Sequence, residues 1–468
     1  MNKFYVWFLA AAGGGLTTAI LISTNAGLLV LLAIVGAWWI WQYPEYSFWT
    51  LIVAAPLLPM LKATQTLGEL TLLKDMIILV LFVKLFGWPL LTKRLEWRRN
   101  ILVAPITLLI VWVAINTLRA NSLTLGILRA REIVLYVLLY FAVLYLPASE
   151  GFLKKTWQWF IASAVVVVLL GVYQWFWAGD SAVLRFDPAR SIWIPRMSAT
   201  LGHPSVLGEY LIVVWTLLLA SVLVFGKKLS WWGSVIAMLF LLPFIYLTYS
   251  RSVWLGLGTA IAVIAVVWLV KYVRQKRVIR KGYMLAGLTA VIILSAVFMR
   301  FTSAGVFLRT AIDPTYGSNQ DRIMLVANII GDTTNGQAIW GKGLGNVVTQ
   351  QYEGADATAE DIAELDSRTV QLAKASTLVD NQYLKTFAEL GLIGILIYLW
   401  IYYRIARKCW RVIVGGGAKS QLVIGWWGLG FLAAFVTQAL FIDIWDVWPT
   451  NAIFWVAAAM VSREVLTK

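Results

Sequence analysis

The stretch "LTYSRSVWLGLG" (247–258) sets one arginine, Arg251, between two long uncharged runs, 229–250 and 252–270. Each run has the length of a bilayer-spanning helix, ~20 residues. It reads as a tight turn between two membrane helices, with Arg251 at the start of the second. The composition agrees: of 468 residues, 60% are hydrophobic and only 13% are charged. A water-soluble chain of this size would need far more charged surface, so the fold class is an all-α polytopic membrane protein.

Working outward, further spans fall at roughly 4–22, 26–42, 46–60, 71–90, 101–117, 132–147, 157–177, 206–225, 230–249, 252–270, 283–299, 387–403, 422–441 and 450–463. The first apolar run (Phe4–Ser23) lacks a small-x-small cleavage site, and a second run follows at once. It therefore reads as a membrane helix rather than a signal peptide. The third span, interrupted by Pro56 and Pro59, is expected to be re-entrant. Roughly 12–14 membrane helices are expected, with both chain ends inside.

A net charge of +16 raises the question of nucleic acid, but the basic residues are distributed as topology signals. With the N-terminus inside, Lys93/Arg94/Arg98/Arg99, Lys154/Lys155, Lys227/Lys228 and the clusters at 271–281 and 404–419 all fall in cytoplasmic loops. That is the positive-inside pattern, so no nucleic-acid partner is expected. One cysteine, Cys409, excludes an internal disulfide framework, and one histidine, His203, excludes a histidine-rich metal site. No metal and no cofactor are expected.

Two outer segments are longer than connections need to be: 178–205, and above all 300–386. The chain then divides into eleven transmembrane helices with the outer loop 178–205 (1–299), an extracytoplasmic loop subdomain (300–386) and C-terminal transmembrane helices (387–468). Several outer arginines gather in and between these segments: Arg185, Arg190 and Arg196, then Arg251, then Arg300, Arg309 and Arg322. The positive-inside tendency disfavours them there. Arg251 also sits at the positive end of a helix macrodipole, where a cation loses ~0.3–1 kcal/mol. An anion would offset both terms, and the planar guanidinium fork suits phosphate. The alternatives are a lipid headgroup or an acidic residue of the long loop. Arg196, after Pro195 and ahead of the turn "SATLGHPSVLGEY", is the second candidate; Arg185 and Arg190 carry less weight.

The long loop ends in "STLVDNQYLKTFAELGLIGILIYLW" (376–400). Asp380 precedes a helix and reads as its N-cap, as a carboxylate general base in reach of a polar acceptor, or as both, the two roles being compatible. Asn381 would orient it or bind a sugar. "DRIMLVANIIGD" (321–332) reads as a surface helix with Arg322 near its start, and "EGADATAEDIAELDSRTVQLAK" (353–374) as an amphipathic lid or cap. "WGKGLGN" (340–346) is a Gly-rich turn without the Lys-Ser/Thr ending of a nucleotide loop. Most of the 26 tryptophans belong to interfacial belts, with Trp193 and Trp340 able to stack on sugar rings. His203 is either a substrate group or a local hydrogen-bonding residue. Within the spans, the charges that stand out are Lys74, Asp75 and Lys84.

Four stretches in order resemble the O-antigen ligase/polymerase family: "RMSATLGHPSVLGEYL" (196–211), "YSRSVWLGL" (249–257), "IWGKGLGN" (339–346) and "VDNQYLKTFAELGLIG" (379–394). The resemblance implies a GT-C-like membrane glycosyltransferase, inverting and metal-independent, with a large helical extracytoplasmic loop between late helices. It implies a bacterial inner membrane location with the active site facing the periplasm or exterior. Its donor would be an undecaprenyl-diphosphate-linked oligosaccharide, its acceptor a glycan, and its surroundings the lipid bilayer. A chain-length regulator protein would be a further partner. By position, Arg196 and Arg251 would hold the diphosphate and stabilise it as leaving group, and Asp380 would activate the acceptor hydroxyl. Arg190, His203, Asn381, Arg322 and Tyr383 would contact substrate. Family ligases carry His where this chain has Asp380, and Asn where it has Ser205. The Asp380 departure shifts the expectation from ligase toward a repeat-unit polymerase, with the ligase as alternative and a polyprenyl-glycan transporter behind both.

Overall fold

The structure is a computed structural model, and it describes residues 24–62, 72–96, 100–147, 151–179, 184–187, 192–225, 229–274, 337–346, 381–445 and 447–463. The expected spans 4–22 and 283–299 lie outside these residues. The described chain is a helical bundle: α1 (Thr24–Gln42), α2 (Pro44–Ala54), α3 (Leu58–Lys62), α4 (Leu72–Phe82), α5 (Val103–Leu118), α6 (Leu123–Tyr145), α7 (Phe152–Trp177), α8 (Pro204–Phe225), α9 (Leu229–Leu247), α10 (Arg251–Arg274), α11 (Gln337–Trp340), α12 (Gln382–Gly415), α13 (Lys419–Gln438) and α14 (Thr450–Arg463). A π-helical turn, Val83–Gly87, and a last turn, Trp88–Leu91, extend α4. Among the described residues, α7, α8, α10, α12 and α13 are long and apolar enough to cross a membrane. The protein is an all-α polytopic membrane protein.

Helix α8 lies at the centre, buried along most of its length and packed on α9, α10 and α13. Small residues let its neighbours approach: a Cβ on Gly208 would lie 2.5 Å from Val253 Cγ1, and one on Gly430 of α13 would lie 2.6 Å from Ile264 of α10. In lipid, where burying apolar surface drives little helix association, such close approach supplies the packing energy. Helix α13 also packs on α12; α14 and α4 flank α6, α5 meets α12, and α2 lies on α7.

Several boundaries differ from the sequence reading, and three of them have a clear physical reason. The expected span 46–60 is two pieces: α2 stops at Ala54 and α3 resumes at Leu58. Pro56, which has no N–H to donate, falls in the break. The expected span 132–147 begins nine residues earlier, at Leu123, with Ser122 Oγ accepting from Leu125 N. Its first turns carry Arg129 and Arg131, charges that a hydropathy reading assigns to a loop, and Glu132 at the expected span's edge. Helix α12 begins at Gln382 rather than 387 and runs on to Gly415. The segment 178–205 also contains an antiparallel hairpin, β1 (Leu184–Asp187) with β2 (Ile192–Pro195), in register Leu184–Pro195 to Asp187–Ile192.

Candidate functional site at the loop end of the bundle

Strand β2 delivers the chain to Arg196. Its Nε donates to the carbonyl of Thr248 (3.0 Å), and the amide of Met197 donates to that of Leu247 (2.9 Å). These carbonyls close the end of α9, where backbone acceptors have no intrahelical donor. Gln174 of α7 fastens the same turn from the other side. Its Oε1 accepts from the amides of Ser198 (3.2 Å) and Ala199 (2.7 Å), and its Nε2 donates to Ser198 Oγ (3.1 Å). Thr200 Oγ1 donates to the carbonyl of Pro56 (2.6 Å), one of the acceptors that the α2–α3 break sets free.

The turn leads into α8, whose start lies against the start of α10. Ser205 Oγ and Ser250 Oγ are 2.9 Å apart, Ser250 Oγ and Ser252 Oγ also 2.9 Å, and all three side chains are buried. This chain of hydroxyls, with the Gly208–Val253 contact beneath it, holds two helix N-termini side by side. Each N-terminus presents backbone N–H groups and a partial positive charge. Half-buried Arg251 is the first residue of α10, and half-buried Arg196 is bonded to the segment that leads into it. Segments 55 residues apart in the chain thus converge on one patch with the donors that an anion requires.

His203 lies in the same patch and is exposed. It caps α8: Nδ1 accepts from Ser205 N (3.3 Å) and its carbonyl accepts from Leu207 N (3.2 Å). An accepting Nδ1 puts the proton of the neutral ring on Nε2.

A second group of residues lines the same end through α12, which is broken at Gly391 (φ 68°, ψ −171°) into a half-helix, 382–390, and a long remainder. Asn381 caps the half-helix, Oδ1 accepting from Tyr383 N (2.9 Å) and Leu384 N (3.1 Å). The cap expected of Asp380 is therefore made by its neighbour, and Asp380 itself lies outside the described residues. Asn381 Nδ2 donates to Leu440 O (2.9 Å), Gln382 N to Ala439 O (2.9 Å), and Tyr383 Oη to Val436 O (3.0 Å). The half-helix is thus bonded to the end of α13. That end reaches α10 in turn, where a Cβ on Gly256 would lie 2.5 Å from Gln438 Nε2. The 438–440 segment links the two parts of the site.

The Gly-rich turn 341–346 closes the break in α12. Lys342 N donates to Ala388 O (2.7 Å) and Gly343 N to Glu389 O (3.2 Å), while Trp112 Nε1 donates to Leu390 O (2.8 Å). The carbonyls orphaned at the end of the half-helix are thereby paired. Gly341, Gly343 and Gly345 all have positive φ, and a Cβ on Gly341 would meet the Glu389 backbone at 2.6 Å. Arg119 donates to the carbonyls of Trp340 (3.0 Å) and Gly341 (3.1 Å), and the Trp340 ring stacks on Trp112 with centroids 5.3 Å apart. The amides of this turn are directed at protein acceptors.

Sequence reading missed a set of buried charges at this end. Arg129 of α6 bridges Glu389 (3.1 Å) and Glu132 (2.8 Å). Lys385 lies buried with its Nζ 4.0 Å from Asp443. Buried Asp75, which the sequence itself singles out along with Lys74, joins Lys74 and the exposed Arg131. Glu209 of α8 accepts from Thr450 Oγ1 (2.8 Å). Charges inside membrane helices mark function or bundle-facing pairs, and that rule, applied to Glu209 and Glu389, is the signal that would have found them. Of the other expected substrate contacts, Arg190 and Arg322 lie outside the described residues, and Arg185 is described only as backbone of β1.

These features define a class: a multi-pass helical membrane protein whose polar groups collect at one end of the bundle, where a long loop re-enters it. Residues 236–399, about a third of the chain, match the family model described as O-antigen ligase. Over that region the chain is O-antigen ligase/polymerase-like. The match takes in the "SR" helix start, the Gly-rich turn and the half-helix, while the Arg196 turn precedes it. No curated protein matches the chain.

Proposed function

We propose that the protein is a membrane glycosyltransferase that joins polyprenyl-diphosphate-linked oligosaccharide repeat units on the outer face of the bacterial inner membrane. The observation that carries this reading is the convergence of Arg196 and Arg251 at two adjoining helix N-termini. That patch suits a diphosphate held at membrane depth. Charge grows on the diphosphate as the glycosidic bond to the carrier breaks, and preorganised donors stabilise it without reorganising. Arg196 and Arg251 hold the leaving group, while His203 Nε2–H and the serine hydroxyls add neutral donors. Asp380, next to the half-helix cap, takes the proton of the attacking sugar hydroxyl as that oxygen bonds to the anomeric carbon from the opposite face. No step calls for a metal. Coupling with a chain-length regulator belongs to the same reading.

The ligase is the second reading, favoured by the description of the matching family. Purified protein in proteoliposomes, given lipid-linked donor alone, separates them. A ladder of products on the lipid carrier identifies a polymerase. Product only after addition of a lipid or protein acceptor identifies a ligase, and lipid scrambling without new bonds would refute both.

A further inference from the structure

We propose that Arg129 is a positioning residue: acting through Glu389, it fixes the half-helix 382–390 in the orientation that glycosyl transfer requires. Glu389 joins three pieces of chain that are far apart in sequence. One carboxylate oxygen accepts from Arg129 Nε of α6 (3.1 Å), and the other accepts from Gly345 N of the Gly-rich turn (3.1 Å). The half-helix itself carries the carboxylate. Arg129 and Glu389 are 4% and 2% exposed, and Glu132 Oε2 (2.8 Å) takes a second face of the guanidinium.

The break at Gly391 makes this joint matter. An unbroken helix is oriented by its own continuation, but here the hydrogen-bond ladder is interrupted and the terminal carbonyls pass to Lys342, Gly343 and Trp112. What orients the half-helix is then polar contact at its two ends. At the far end these are Asn381 with Leu440, and Gln382 with Ala439 and with the amide of Trp445 (2.9 Å). At the near end they are the turn and the Arg129–Glu389 pair. Buried ion pairs contribute little net stability, and their best-attested use is to fix one arrangement among close alternatives. The guanidinium of Arg129 is directed at Glu389 and Glu132, and Glu389 is the partner that belongs to the half-helix. Its influence on transfer therefore runs through Glu389.

The proposal rests on the glycosyltransferase reading for its activity arm only. Full-length Arg129→Met and Glu389→Gln variants are compared with wild type in proteoliposomes with polyprenyl-diphosphate oligosaccharide, and amide hydrogen exchange is followed by mass spectrometry. Displacing a reacting group by an ångström costs on the order of 100-fold. Arg129→Met should therefore lower kcat by that order while leaving donor KM within about twofold, the split that marks loss of a transition-state arrangement. Exchange should quicken in 341–345 and 382–390 and stay unchanged in 392–415. Glu389→Gln, which keeps an oxygen for Gly345 N–H, should lose less and covers the case in which Arg129→Met does not fold. A raised donor KM with normal kcat, unchanged kcat in both variants, or quickened exchange throughout α12 would each overturn the proposal. A wild type that forms no glycosidic bond would refute the function reading and leave the exchange prediction standing.

Discussion

Replacing Gly391 by alanine tests the break in α12 directly. Gly391 sits at φ 68° and ψ −171°, backbone space that is essentially glycine's alone, and placing another residue there costs ~1–3 kcal/mol. The added Cβ would also lie 2.5 Å from Gly341 N and closer still to Ile339 O, both of them backbone atoms that cannot swing aside. The Gly-rich turn would have to retreat, loosening the Lys342–Ala388 (2.7 Å) and Gly343–Glu389 (3.2 Å) hydrogen bonds. Each is worth ~1 kcal/mol net. The total is ~3–5 kcal/mol, and at ~2–4 °C per kcal/mol for a large domain the midpoint should fall by ~6–20 °C. The chain supplies its own probe. Cys409 is the single cysteine and is buried, so a thiol-reactive fluorophore in detergent micelles reports unfolding without engineering. Gly258→Ala is the control: its Cβ meets nothing within 4 Å in α10, so helix propensity should leave it neutral or more stable by up to ~1 kcal/mol. A Gly391→Ala midpoint within ~2 °C of wild type would refute the reasoning that the turn and the half-helix touch backbone to backbone.

Two further predictions concern the reaction. Arg251→Ala should reduce chain extension by at least ~10–100-fold, since a hydrogen bond to a charged group is worth ~1.5–3 kcal/mol, with folding intact by size exclusion. Arg251→Lys should fall between, because an ammonium keeps the charge and loses the two-oxygen fork. Normal ladders from Arg251→Ala would sink the diphosphate clamp. Asp380→Ala should cost ~10²–10⁴-fold in turnover if that carboxylate is the general base. Near-normal turnover would confine it to a local role beside the Asn381 cap.

The helices were legible because hydropathy is nearly the whole of what a bilayer demands. The positions of α5, α8, α9, α10, α13 and α14 follow from apolar runs within a few residues. What escaped were the places where polar groups go into the bundle. Arg129, three residues before Glu132 on α6, looks like a loop charge until Glu389 supplies a partner 260 residues away. The hairpin β1–β2 is equally silent in sequence, because four residues a side give too short a pattern to distinguish from a connection. At the site, the local sequence raised Arg196 and Arg251 as separate candidates, and only the family resemblance joined them. Their meeting depends on Thr248 and on the Ser205–Ser250–Ser252 hydroxyls, and no local pattern announces it.

The Gly-rich turn ties the fold to the site. Three glycines with positive φ suggest a cradle for phosphate, yet the amides of Lys342, Gly343 and Leu344 go to Ala388, Glu389 and Asn116. The glycines are there because backbone approaches backbone, first against α12 and then against Arg119 and Leu125. A helix that breaks inside a membrane bundle must have its carbonyls paired by something other than water. Here the long loop returns into the bundle to pair them, so the segment that precedes α12 in sequence also holds α12 in place. The half-helix beside Asp380 is thus a product of the loop's own folding onto the bundle. That dependence predicts that changes in the turn will move activity and stability together, whereas changes at Arg251 will move activity alone.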